Sequence, residues 1–349
     1  MKTYGQRLKS ARIMNGLSLQ NLSDKLKNSV SKQALSKYEK DVMKPSGELF
    51  LEICNILNVR PDYFTREISV ELENIEFRKY QRTHEKQIDA VKEKTKDYLE
   101  RYLELETLSG VTCNFVNPVK VSSINSKEDA EEAAEQLRIA WNFGENPIPN
   151  VIEMLEDNCI KVYETAAPDE FDGLSGFVKE NTPLVVLNTY NRDVKPDRKR
   201  FTALHELAHL VLNIPANTEH KTKEKLCHAF AGAVLFPKKA FMREFGSHRS
   251  GINYKELLIL KEKWGMSVQG MVVRARDLGL ITSHTYQKFW KDYAHYKKNE
   301  PDVFKGEEKS KRFEQLLLRA VAEEKMTLTK AAVLNNMKLA EFRDFLEKI

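Results

Sequence analysis

The pentapeptide His205-Glu206-Leu207-Ala208-His209 constrains this chain more than any other feature. It lies in an apolar run, FTALHELAHLVL from Phe201 to Leu212, whose pattern predicts a helix. On a helix, positions i and i+4 stand one above the other on the same face. Both imidazoles then reach one ion, and Glu206 projects beside them. Two neutral nitrogen ligands with an adjacent carboxylate form the donor arrangement of a zinc hydrolase. Two histidines do not complete such a site, because a catalytic zinc takes three protein ligands and leaves the fourth position to water. The next helical run, HKTKEKLCHAFAGAVLFP, offers His220, Glu224 and His228 four residues apart on one face, and spacing does not choose among them. Cys227 neighbours His228 but points about 100° away around the helix, which argues against a structural zinc that would recruit it.

A chain of 349 residues is too long for one small core and predicts two or three domains. The hydrophobic content of 41% and charged content of 31% suit a helix-rich globular protein. No apolar run approaches the roughly 20 residues that span a bilayer, and the N-terminus has no signal-peptide core. Cys54, Cys113, Cys159 and Cys227 show no CxxC spacing. Cys54 and Cys159 sit in apolar stretches and read as core thiols, so a reducing cytoplasmic location is expected. The net charge of +5 is unevenly placed. Residues 1–65 carry 11 Lys and Arg against 6 Asp and Glu, and the remainder balances. An anionic partner, DNA above all, is expected for that first unit.

Residues 1–65 read as five short helices. Gly16 stops the first, Ser18 caps LQNLSDKLK, Ser31 caps KQALSKYEK, and Lys44-Pro45-Ser46 and Pro61-Asp62 open the last two. The stretch RLKSARIMNGLSLQNLSDKL, VSKQALSKYEK and LFLEICNILNVRPDYF resembles the Xre/Cro-type helix-turn-helix regulators. Where that family has glycine in the turn before the recognition helix, this chain has Asn28, a residue that tolerates the left-handed conformation. Asp41 replaces a glycine common after the recognition helix. The resemblance implies that the helix from Lys32 to Lys40 enters the major groove of double-stranded operator DNA, with Lys32, Gln33, Ser36 and Lys37 as readers. It also implies a homodimer on paired half-sites.

Residues 66–110 are charged and helical, with apolar positions at Ile88, Val91, Tyr98, Tyr102 and Leu105. They read as a connector, either packed on its neighbours or forming a dimer seam. Further on, SKEDAEEAAEQLRIAWNF and VIEMLEDN read as helices. The segments 159–165, 174–180 and 183–189 have strand composition, so a small sheet precedes the His205 helix. An extended peptide could add to the edge of that sheet beside PLVVLNT. Arg274 and Arg276 could meet DNA or substrate, although internal ion pairs are the commoner role. Residues 300–311 read as a charged linker, and the rest as a small helical tail.

Residues 126–280, through AEQLRIAWNFGENPIPNVIEMLEDNCIKV, PLVVLN, RKRFTALHELAHLVL and EKLCHAFAGAVLFP, resemble the ImmA/IrrE metallopeptidases. The resemblance implies Glu224 as the third ligand of a Zn2+ held by His205 and His209, with Glu206 as the general base. Phe230 matches the aromatic that follows the ligand. The family has asparagine where this chain has His228, so an auxiliary role for His228 stays open. Tyr190, His228 and His248 are candidate oxyanion donors. The expected architecture is mostly α with a small α+β part. It comprises a five-helix helix-turn-helix bundle over 1–65, a helical connector over 66–110, a zincin-like peptidase domain over 111–299, and a helical, helix-turn-helix-like tail over 300–349. The resemblance implies a zinc endopeptidase that cleaves a helix-turn-helix repressor, or this chain itself, to switch genes in stress response or mobile-element control. The alternative is a non-enzymatic, antitoxin-like repressor whose zinc domain is a sensor or structural module.

Overall fold

The computed structural model describes residues 2–73, 81–167, 171–178, 182–188, 194–296, 300–301 and 304–347. The first unit contains α1 (Tyr4–Met14), α2 (Leu19–Lys25), α3 (Lys32–Glu39), α4 (Gly47–Ile56) and a short 3-10 turn at Pro61–Thr65. Thr3, Ser18, Ser31 and Ser46 each cap a helix by accepting a backbone N–H. The turn between α2 and α3 holds both Lys27 and Asn28 at positive φ. Asp41 is also left-handed, and its carboxylate accepts from the Gly5 N–H at 2.7 Å and from the Thr3 hydroxyl. The departure from glycine there gives α1 an anchor. Gly5 is needed at the same joint, because a Cβ would lie 2.5 Å from the Glu39 carbonyl oxygen.

A sheet forms the centre of the second unit. Its strands are β1 (Leu72–Glu73), β2 (Lys161–Thr165), β3 (Gly173–Val178) and β4 (Thr182–Asn188), in the order β1-β3-β4-β2. Pairing is antiparallel except between β2 and β4. The short strand β1, from the connector, was not expected. The connector helix α5 (Gln81–Ser109) packs Ile88, Val91 and Leu99 against Leu174, Val178, Leu184 and Val186 on one face of the sheet. Val185 and Leu187, on the other face, pack with Ala203, Leu204 and Leu207 of α8 (Pro196–Val211). The apolar stripe of α5 is therefore an inner layer of this chain. That overturns its reading as a dimer seam and leaves the packed-helix reading.

Behind α8 lie α6 (Lys127–Ala140), α7 (Val151–Asp157) and α9 (His220–Leu235). They are followed by α10 (Lys238–Phe245), α11 (Tyr254–Trp264), α12 (Val268–Asp277) and α13 (Ser283–Asp292). Arg274 is buried, paired with Glu131 at 2.5 Å and donating to the Phe236 carbonyl, so it holds α6, α9 and α12 together. Arg276 pairs with the adjacent Asp277.

The segment read as a charged linker is packed where it is described. Glu308 is 3% exposed, pairs with the fully buried Arg200 at 2.8 Å, and accepts from the Val151 N–H at the start of α7. Glu300 and Asp197 share the buried Lys261. This strap clamps the first turns of α8. Beyond it, α14 (Arg312–Ala322), α15 (Leu328–Leu334) and α16 (Leu339–Glu347) bury Leu316, Leu317, Ala331, Leu334 and Phe342 against Tyr102 and Leu105 of α5.

One cysteine expectation is corrected. Cys159 is joined to Cys113 by a disulfide with a Cα–Cα distance of 5.4 Å, while Cys54 and Cys227 are free and buried. The two partners lie 46 residues apart and meet only through tertiary folding, so spacing carried no signal. No described helix is long and apolar enough to cross a membrane.

The first unit docks on α5 through ion pairs of Lys2 and Arg7, of which Arg7 with Glu100 is the fully buried one. Arg7 (0% exposed) meets Glu100 (1%) at 2.9 Å and donates to the carbonyls of Arg66 and Ile68. Removing one partner of a buried pair strands the other charge and costs about 3–5 kcal/mol. Glu100→Gln is expected to lower the urea midpoint of the first unit accordingly. A midpoint equal to wild type would show that the pair does not hold the joint.

Candidate metal centre and nucleic-acid interface

Helix α8 delivers His205, Glu206 and His209, and α9 packs beside it with Glu224 facing the two imidazoles. The His205 and His209 Nε2 atoms are 3.2 Å apart. Glu224 places one carboxylate oxygen 3.3 Å from the first and the other 3.7 Å from the second. Among the described residues these three side chains form the group whose ligand atoms converge, all within 4.8 Å of one another. The donor chemistry fits a divalent ion. Tetrahedral zinc with ligands at about 2.0–2.1 Å holds neighbouring ligand atoms about 3.3 Å apart. Two facing imidazole nitrogens also repel unless a proton or a cation lies between them.

His220 and His228 lie outside that convergent group. His220 is exposed, with Nε2 3.6 Å from Glu224. His228 packs its ring 4.5 Å from that of His205 and stacks on Phe201. His228 lies exposed at the rim, and partial desolvation of its ring, followed by the neighbouring His205, lowers its pKa below the ordinary imidazole value. His248 does not line the cleft, and Tyr190 lies outside the described residues.

Glu206 is 8% exposed and accepts a hydrogen bond of 2.9 Å from the Ser175 hydroxyl on β3. Sequence reading missed Ser175. Its only signal was a small polar residue between the glycines of GLSGFV. Gly173 lets β3 approach α8 closely, since a Cβ there would come 3.1 Å from Thr202 Cγ2 and 3.2 Å from Glu206 Cγ. Cys227 was also missed as a partner. Its sulfur lies 3.6 Å from Nδ1 of His209, and burial pushes its thiol pKa up to about 12.

The cleft holding these groups has a volume of about 630 Å3 and runs along Gly173–Phe177 of β3. Strand β4, expected to offer its edge to a peptide, is interior, paired with β3 and β2. On the outer side of β3, β1 pairs only with Phe177 and Val178. Gly173–Gly176 have no strand partner on that side among the described residues.

At the other end of the chain, Lys32, Gln33 and Lys37 are exposed on α3, and Ser36 is half-buried beside them. They share one shallow surface with Ser18, Leu19, Gln20 and Lys40. Leu35 and Tyr38, on the opposite side of α3, are buried in the core of the first unit.

The family comparisons divide the chain along the same lines. A helix-turn-helix family model matches residues 8–64. A peptidase family model, described as the IrrE N-terminal-like domain, matches residues 157–276. A search of curated proteins finds no match. The first match covers the unit with the exposed polar face of α3, and the second covers β2 to α12 with the whole convergent cluster. The chain is thus a helix-turn-helix DNA-binding regulator fused to a peptidase-family domain of the IrrE N-terminal-like kind.

Proposed function

We propose that the second unit is a zinc-dependent endopeptidase that cleaves a separate regulatory protein, a helix-turn-helix repressor, in the service of gene control. The observation that carries this reading is the set of His205, His209 and Glu224 beside a carboxylate, Glu206, that Ser175 holds in place. His205 and His209 would hold the ion through Nε2, and Glu224 through its carboxylate. When bound, zinc supplies a Lewis acid that brings the pKa of a water to about 7 and polarises a carbonyl.

The chain's own residues do the rest. Glu206 takes the proton of the attacking water and returns it to the departing amine. Ser175 fixes the carboxylate that moves the proton. Gly173–Gly176, without a strand partner on that side among the described residues, accept an extended peptide as an added strand, and main-chain hydrogen bonds align its scissile bond with Glu206. His228 stands at the rim as a hydrogen-bonding group for the substrate. Helix α5 is a poor substrate. It is helical and its apolar face is buried, so cleavage there would require unfolding. The rest of the connector, 74–80, lies outside the described residues.

In the first unit, Lys32, Gln33, Ser36 and Lys37 read operator DNA from the major groove. Two copies of the chain bind paired half-sites.

Zinc-loaded wild type is expected to cut repressors encoded beside it, and Glu206→Gln to lose about 10²–10⁴-fold in rate while keeping its metal. Ser175→Ala should lose about tenfold, near 1.4 kcal/mol of transition-state stabilisation. Equal rates for wild type and Glu206→Gln, or a fully loaded protein that cuts nothing, would leave the domain a sensor or structural module. Chelation should lower the melting temperature, and added zinc should raise it in proportion to the logarithm of its concentration. A melting temperature indifferent to both would remove the metal centre from the account. For the DNA face, selection from random duplexes gives the preferred site. Gln33→Ala is then expected to cost about 1–3 kcal/mol there and relax base preference. Lys37→Ala should weaken all duplexes alike and reduce the salt slope by about one. Binding unaffected by either change would refute the assignment.

A further inference from the structure

The two histidines of the cluster are not equivalent. Their Nε2 atoms converge, which turns both Nδ1 atoms away from the shared point. A neutral imidazole that binds metal through Nε2 carries its proton on Nδ1, and that N–H needs an acceptor to fix the plane of the ring. Nδ1 of His205 is buried without a hydrogen-bond partner. Nδ1 of His209 faces the sulfur of Cys227 at 3.6 Å. Cys227 is 0% exposed, so bulk water does not reach the sulfur.

Helix α9 brings about this difference. Glu224 and Cys227 are three residues apart, neighbours on its surface. The first reaches the Nε2 side of His209 and the second its Nδ1 side. One helix thus brackets the ring from both ends. The sulfur contacts the ring nitrogen on the far side from the convergent point, so its geometry is that of a hydrogen-bond acceptor and not of a ligand.

We propose that Cys227 is a positioning residue for the metal centre, accepting the Nδ1–H of His209 and so holding the ring with Nε2 presented to the ion. The proposal rests on the reading of His205, His209 and Glu224 as ligands. Sulfur is a weak acceptor, so the constraint is softer than that of a carboxylate. Partners of this kind change metal affinity by about 10–100-fold when lost, and the lower end is expected here.

The test uses the full-length protein with zinc and cobalt ions as probes. Zinc affinity is measured by chelator competition for wild type, Cys227→Ala and Cys227→Ser. The absorption spectrum of the cobalt-loaded proteins and the melting temperature of the metal-free proteins are recorded alongside. Cys227→Ala should bind zinc about tenfold more weakly and shift the cobalt ligand-field bands, with the metal-free melting temperature near that of wild type. Cys227→Ser, which keeps an acceptor, should recover part of the loss. Wild type should show no thiolate-to-cobalt charge-transfer band. Equal affinities for wild type and Cys227→Ala would overturn the proposal. So would a charge-transfer band in wild type, a loss that tracks a fall in metal-free stability, or a serine variant that recovers nothing. If wild type binds neither ion, the ligand reading itself fails, independently of Cys227.

Discussion

A small sheet that is apolar on both faces must be covered on both, and the rest of this molecule follows from how that is done. Leu174, Val178, Leu184 and Val186 need one helix, while Val185 and Leu187 need another. The second is α8, which carries His205, Glu206 and His209 on its remaining surface. The first is α5, the segment that leads away from the DNA-binding unit. Through Arg7 and Glu100 that unit is fixed to the back of the sheet whose front holds the candidate metal ligands. Strand β1 extends the same connection onto β3, the strand that supplies Ser175. A regulator tethered by a loose linker would show none of this. Here the first unit is paired to α5, whose apolar stripe covers the sheet that lines the candidate site.

The helix with its i, i+4 histidines was legible because helical periodicity is local. So were the capped helices of the first unit and the three main strands. Asn28 was legible as a left-handed position because its side chain tolerates that backbone. Glu224 was not selected by spacing, since His220, Glu224 and His228 share one face. The structure separates them, because the packing of α9 on α8 brings only Glu224 between the imidazoles. Ser175, Cys227, the Cys113–Cys159 disulfide and the Glu308 strap were invisible for one reason. Each contact joins elements distant in sequence, and nothing in a local pattern marks it. The stripe on α5 was visible, but a stripe shows only that something covers it, not what.

Charge followed a similar division. The excess of cations in residues 1–65 belongs to an exposed face, with Lys32 and Lys37 open to solvent on α3. Arg200 and Arg274, equally conspicuous as cations, are buried against Glu308 and Glu131 and serve to hold helices in register. Composition gives the charge of a segment. Only packing says whether that charge faces a ligand or a neighbour.

The central claim is that His205, His209 and Glu224 form one metal centre. Elemental analysis of the purified full-length protein tests it most directly, with the double variant His205→Ala/His209→Ala measured beside Glu206→Gln. The account predicts about one zinc ion per chain in wild type, as expected for a three-ligand catalytic site. It predicts the same content in Glu206→Gln and loss of the ion in the double variant. Undiminished zinc in the double variant, or none in wild type supplied with zinc, would contradict it.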